Sequence, residues 1–187
     1  MKILFFNDFR LGVLKGDQVV DVTDAVKHIP HMDAQGLIRG VIEQWDSCKP
    51  KMEAAAAAGK GVPVSSVRIR PPLPKPGNID CMAVNYMEDG TRSEPAPINA
   101  FAKSPNCVIG HGDSMVLPDA PATICEGEAE IALVIGKRAS NVPASQALQY
   151  IFGYVNFIDG SARGLPPAGN TFYQMKSRET FAPMGPY

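Results

Sequence analysis

The chain has 187 residues and a net charge of −1, with 45% apolar and 20% charged residues. That is ordinary for a globular protein able to bury on the order of 70% of its unfolded surface. It has no basic run to hold nucleic acid or an anionic membrane, and no stretch nears the roughly 20 apolar residues of a membrane span. Cys48, Cys81, Cys107 and Cys125 form no Cys-x-x-Cys pair, and the apolar run at residues 3–6 is too short for a signal-peptide core. Free thiols and a cytoplasmic location are therefore expected.

Residues 10–14, the turn Lys15-Gly16-Asp17 and residues 18–22 read as a β-hairpin. Asp33 opens a helical pattern in which Leu37, Ile38, Val41, Ile42 and Trp45 share a face. The alanine run 54–58, closed by Gly59, reads as a short helix without chemistry. Four prolines in Pro71-Pro72-Leu73-Pro74-Lys75-Pro76 exclude helix and central strand. The expected organisation is a small domain over 1–70, a linker over 71–77 and a strand-rich domain over 78–187. Strands are expected at 78–84, 101–103, 107–109 and 114–117, and a short helix at 144–150, where Pro143 suits the start. A last strand over 151–158 ends at Asp159.

Residues 128–137, Glu-Ala-Glu-Ile-Ala-Leu-Val-Ile-Gly-Lys, read as a strand buried on both faces. Period-2 geometry puts Glu128, Glu130, Ala132 and Val134 on one face and Ala129, Ile131, Leu133 and Ile135 on the other. Adjacent buried carboxylates without a partner repel and lose hydration, so a hard divalent cation is one resolution. The other is an edge strand whose acidic face meets water, with Lys or Arg as neighbours.

Four motifs in order carry a resemblance: Asn85-Tyr86; Glu128-x-Glu130 running into Val134-Ile135-Gly136-Lys137; Asp159 with Ser161-Ala162-Arg163; and Lys176-Ser177 before Pro183-x-Gly185-Pro186. Together they resemble the fumarylacetoacetate hydrolase family, fumarylacetoacetase-like or 2-hydroxyhepta-2,4-diene-1,7-dioate isomerase-like. The resemblance implies an α+β, mainly β fold: a small N-terminal α/β domain followed by a catalytic β-roll. It implies Glu128, Glu130 and Asp159 as ligands of Mg²⁺ or Mn²⁺, a set that suits hard octahedral cations. It implies Lys176 as the active-site lysine, and Asn85, Tyr86, Lys103 and Arg163 as substrate-binding. The implied chemistry is C–C bond hydrolysis, isomerisation or decarboxylation of a small 2-oxo, 1,3-diketo or dienoic acid through a metal-stabilised enolate. Such acids arise in the breakdown of aromatic compounds or sugar acids. A homodimer is implied as well.

Two departures shape the expectation. Many family members carry a His and a Glu after Asn-Tyr to activate water; here those positions are Asp89 and Arg92. Glu88, Asp89 or Glu94 would have to act as base, which turns the expectation toward tautomerisation or isomerisation. Family members also continue with further strands after Gly-Pro, whereas this sequence stops at Tyr187. The β-roll is therefore expected to be incomplete at its C-terminus. Two competing readings follow: a truncated, non-catalytic member that binds a metal or partner without turnover, and a β-rich binding module with no metal.

Overall fold

The computed structural model of the protein describes residues 1–87, 92–167 and 171–187. In the first lobe, β1 (Ile3–Phe6), β2 (Arg10–Lys15) and β3 (Gln18–Asp21) form an antiparallel meander. The turn between β2 and β3 uses Gly16 at φ +60°, left-handed backbone that glycine adopts without steric cost. Asp33 caps α1 (Ala34–Glu43), its carboxylate accepting from the Gly36 N–H at 2.7 Å. The alanine run falls within α2 (Trp45–Ala58). The chain then returns through β4 (Val62–Pro63) and β5 (Ile69–Arg70), two short strands that periodicity did not mark. They complete a sheet of order β4-β3-β2-β1-β5.

Both faces of this sheet are covered. Phe5, Leu11 and Val20 meet Leu37, Val41 and Met52 beneath the helices. Leu4, Phe6 and Val19 alternate to the opposite face, where Val64, Ile69 and Tyr187 pack over them.

Residues 71–77 hold no helix or strand, yet Leu73 packs against the apolar clusters of both lobes. The Trp45 and Phe152 rings meet edge-to-face at 4.8 Å, and Arg68 pairs with Asp113 at 2.9 Å. The proline-rich stretch is thus a packed joint between the lobes.

In the second lobe, β6 (Ile79–Met82) pairs with β7 (Ala100–Lys103). Beyond them lie β8 (Val108–Ile109), β9 (Ile124–Ile135), β10 (Ile151–Arg163), α3 (Phe172–Lys176) and β11 (Ala182–Gly185). The larger sheet has order β8-β11-β10-β9, parallel only at β8–β11. No helix among the described residues is long and apolar enough to cross a membrane. The mixed helix and strand content, with curled and mostly antiparallel sheets, is the expected α+β, mainly β class.

Three local expectations change. Residues 114–117 are not a strand; the Val116 N–H is taken by the Thr180 hydroxyl at 2.8 Å and not by a ladder partner. Residues Ala144–Tyr150 form a 3₁₀ turn that carries the chain from β9 into β10. Finally, β9 is not buried on both faces. Ile131, Leu133 and Ile135 are 65%, 54% and 57% exposed; the outer face of the β9–β10 hairpin is covered toward Cys125 and Ala162, where Phe181 and Leu165 pack.

Candidate metal and active site

The pairing register of two strands assembles the site. Asp159 lies directly opposite Glu128, Phe157 opposite Glu130, and Ser161 opposite Glu126. Residues opposite each other in an antiparallel pair share a face. The inner face of the hairpin therefore has a polar end, with Glu126, Glu128, Glu130, Asp159, Ser161 and Arg163, and an apolar end. At the apolar end Ala132, Val134, Val155 and Phe157 pack with Cys81, Cys107 and Met184. Since β10 runs through to Arg163, Asp159 is a mid-strand residue and not the turn former that a following glycine suggests.

Glu128, Glu130 and Asp159 each offer one oxygen, and these three atoms lie within 4.8 Å of one another. Asp159 is closed to solvent. Lys103, with a fully buried side chain, donates to Asp159 Oδ1 at 2.6 Å and to the Gly160 carbonyl at 3.0 Å. Lys176 donates to Asp159 Oδ2 at 2.5 Å and to Glu128 Oε1 at 2.7 Å. Its ammonium also sits 5.2 Å from the centre of the Phe101 ring, which stacks on Phe172. Glu128 Oε1 further accepts from Ser161 Oγ at 2.6 Å and Arg163 Nη2 at 2.9 Å, and Arg163 Nε donates to Glu126. Glu130 Oε1 accepts only from Asn85 Nδ2, at 3.1 Å, among the described residues.

The titration behaviour follows from these partners. Burial alone would push the Glu128 carboxyl up, but the Lys176, Ser161 and Arg163 contacts together bring it below the usual glutamate range. Glu130 goes the other way: burial raises it, and the Asp159 and Glu128 charges add to the rise against the Asn85 hydrogen bond and the Lys176 charge. Cys81 beneath the carboxylates is pushed up to about 12, first by burial and then by the Asp159 charge, so this thiol is unreactive. A carboxylate trio in which Glu130 lacks a cationic partner is a hard-oxygen donor set that fits Mg²⁺ or Mn²⁺.

The structure thus gathers Glu128, Glu130, Asp159, Lys176, Lys103, Arg163 and Asn85 around one point. Lys103 faces Asp159, and Arg163 is tied to two glutamates of β9. Tyr86 is exposed, with no hydrogen bond to the carboxylates among the described residues. Glu88 and Asp89 lie outside the described residues. Asn85 is delivered by a turn in which Val84 has φ +55°, a conformation rare for a β-branched residue. Sequence reasoning passed over Ser161 and Glu126 as site residues. Period-2 counting finds both, two positions after Asp159 and two before Glu128 on the same face.

The fumarylacetoacetate (FAA) hydrolase C-terminal family profile matches residues 78–187. The chain belongs to the fumarylacetoacetate hydrolase family. It is 30% identical to maleylpyruvate hydrolase of Aquipseudomonas alcaligenes, over 100% of this chain and 69% of that protein. It is 36% identical to oxaloacetate tautomerase YisK of Bacillus subtilis (strain 168), over 95% of this chain and 58% of the relative. Its fold superposes with a TM-score of 0.85 and 28% identity on maleylpyruvate hydrolase from Sphingobium sp. SYK-6, crystallised with manganese (II) ion and pyruvate. That match covers 100% of this chain and 66% of that one. The chain therefore spans about three fifths to two thirds of the length of these family members.

Proposed function

We propose that this chain carries the active site of a divalent-metal-dependent fumarylacetoacetate hydrolase family enzyme acting on a small 2-oxo, 1,3-diketo or dienoic acid. The observation that carries the reading is the trio Glu128, Glu130 and Asp159 on one sheet face, with the Lys176 ammonium at its edge. Glu128, Glu130 and Asp159 would hold Mg²⁺ or Mn²⁺, a Lewis acid for the carboxylate and adjacent oxo oxygens of such a substrate. Lys103 and the Asp159–Glu128 register keep the ligand oxygens in place before any substrate arrives, the preorganisation on which electrostatic catalysis depends. Asn85 holds Glu130 by its Oε1. Lys176 supplies a positive charge where the substrate's carboxylate or developing enolate charge would lie, and Phe101 and Phe172 shield one side of it from water.

The substrates and ligand named for the relatives (maleylpyruvate, oxaloacetate, pyruvate) are all 2-oxo acids, which supports a short 2-oxo acid here. Neither tautomerisation nor decarboxylation of such an acid consumes water, and the water-activating His and Glu of hydrolytic members are replaced by Asp89 and Arg92. This favours proton transfer over hydrolysis. A homodimer in the cytoplasm is part of the reading; the exposed apolar face of Ile131, Leu133, Ile135 and Tyr154 supports a packing partner.

The test is thermal unfolding with Mn²⁺ or Mg²⁺, then with oxalate added as a two-oxygen mimic of a 2-oxo acid, alongside an ultraviolet assay of oxaloacetate enol–keto exchange. A ligand at about 100 times its dissociation constant stabilises by about 2.7 kcal/mol. The metal shift should grow with oxalate and vanish in Glu130→Gln. A cooperative transition that neither addition moves refutes the site. A shift without turnover of any 2-oxo acid leaves the non-catalytic, metal-binding alternative.

A further inference from the structure

The hydrogen bonds around the trio are distributed unevenly. Every hydrogen bond that reaches Glu128 from the described residues lands on Oε1, and the one that reaches Glu130 also lands on Oε1. Each glutamate is thus held by one oxygen and offers the other. Asp159 differs: Lys103 takes Oδ1 from the buried side, and Lys176 takes Oδ2. Lys103 has a fully buried side chain and also donates to the Gly160 carbonyl. Lys176 sits at the end of the short α3. Among the described residues its remaining partners are Glu128 Oε1 and the Phe101 ring face, and its side chain, 4% exposed against 0% for Lys103, lies beside the partly exposed Glu128.

The geometry points to Lys176 and the divalent cation as competitors for Asp159 Oδ2. Two cations within hydrogen-bond reach of one carboxylate oxygen repel strongly at a partly buried site. A metal ion taking Asp159 therefore displaces the Lys176 ammonium, while Lys103 keeps the carboxylate oriented. The two lysines, both against Asp159, thereby have opposite relations to the metal: Lys103 positions its ligand and Lys176 opposes its entry. Displacement frees Lys176 from the carboxylates and presents its charge to an acidic substrate once the metal is in place. The order of binding would be metal first, substrate second. The inference rests on the reading that Glu128, Glu130 and Asp159 hold the metal.

The experiment is Mn²⁺ affinity, followed by electron paramagnetic resonance of the free ion on the full chain without substrate. Lys176→Met should bind Mn²⁺ tighter by about tenfold or more, and Lys176→Arg, which keeps the charge, should bind no tighter than wild type. Arg163→Gln is the control. It also removes a positive charge from Glu128, but not one on Asp159, and should tighten binding by less than about threefold. Lys176→Gln stands in if the methionine variant fails to fold, with circular dichroism and the melting curve as checks. Equal or weaker Mn²⁺ binding in both neutral variants overturns the proposal. So does an equal gain in Arg163→Gln, which would make the effect one of net charge alone. Failure of wild type to bind Mn²⁺ at all would instead strike the metal site itself, so the two failures are distinct.

Discussion

The two lobes stabilise their sheets by opposite means. In the first, β1–β3 are sandwiched by apolar residues on both faces, and the cluster around Phe5, Leu11, Val41 and Met52 contains no charged side chain. In the second, half of the inner face of the β9–β10 hairpin is charged, with Lys103, Asp159 and Lys176 buried. Buried ion pairs are poor sources of stability, since desolvation offsets most of the attraction. The contrast indicates that the first lobe and its docking through Leu73 and Trp45 stabilise the chain, while the second lobe holds an electrostatically expensive layer in place.

The largest effects should separate these two contributions. Asp159→Ala strands two lysines, one fully buried, and should cost about 3–5 kcal/mol as well as all Mn²⁺ binding. Phe5→Ala should cost a similar ~3–5 kcal/mol and leave Mn²⁺ affinity of the folded fraction unchanged. Urea unfolding paired with Mn²⁺ titration reads both. If Phe5→Ala also abolishes metal binding, the division between the lobes is wrong.

A smaller effect has the unusual sign. Glu130 has its folded carboxyl raised above the unfolded value, first by burial. A raised acid is a penalty on the folded state at pH values above that folded value, relieved as pH falls through it. In chelator, Glu130→Gln should therefore be more stable than wild type at neutral pH. The advantage should shrink toward nothing below the ordinary glutamate pKa of 4.5. Glu128 is depressed, so its contribution is present at neutral pH and is lost as pH falls below that same range toward its folded value. Glu128→Gln should thus be destabilising at neutral pH. Urea midpoints across pH 3–8 in EDTA check both signs, and an identical pH response of the two variants would contradict the hydrogen-bond assignment.

The smallest effect sharpens the comparison within the hairpin. Leu133→Thr lies on the exposed outer face and, in protein too dilute for two chains to associate, should move stability by no more than about 0.5 kcal/mol. A substantially larger loss, deepening with protein concentration, would mean that a second chain covers this face.

The sequence by itself determined the local grammar of this protein. Apolar spacing marked α1, the Lys15-Gly16-Asp17 turn marked the β2–β3 hairpin, and strand alternation placed Glu128 and Glu130 on a common face. The motifs around Asn85, Glu128, Asp159 and Lys176 carried the family. Short strands such as β4 and β5 were illegible, because two residues show no period and owe their pairing to neighbours far along the chain. The outer face of β9 was misread for a related reason: an apolar run signals a strand but not what packs on it.

Only the tertiary structure decided which charged groups meet at the site. Long-range register put Asp159 opposite Glu128, gave Lys103 to Asp159, and tied Arg163 to Glu126 and Glu128. It also left one oxygen of Glu128 and one of Glu130 without a hydrogen bond from the described residues. Periodicity is a property of neighbouring residues and can be read along a chain. Which charge meets which is set by contacts between residues far apart, such as Lys103 and Asp159, and exists only once the chain has folded.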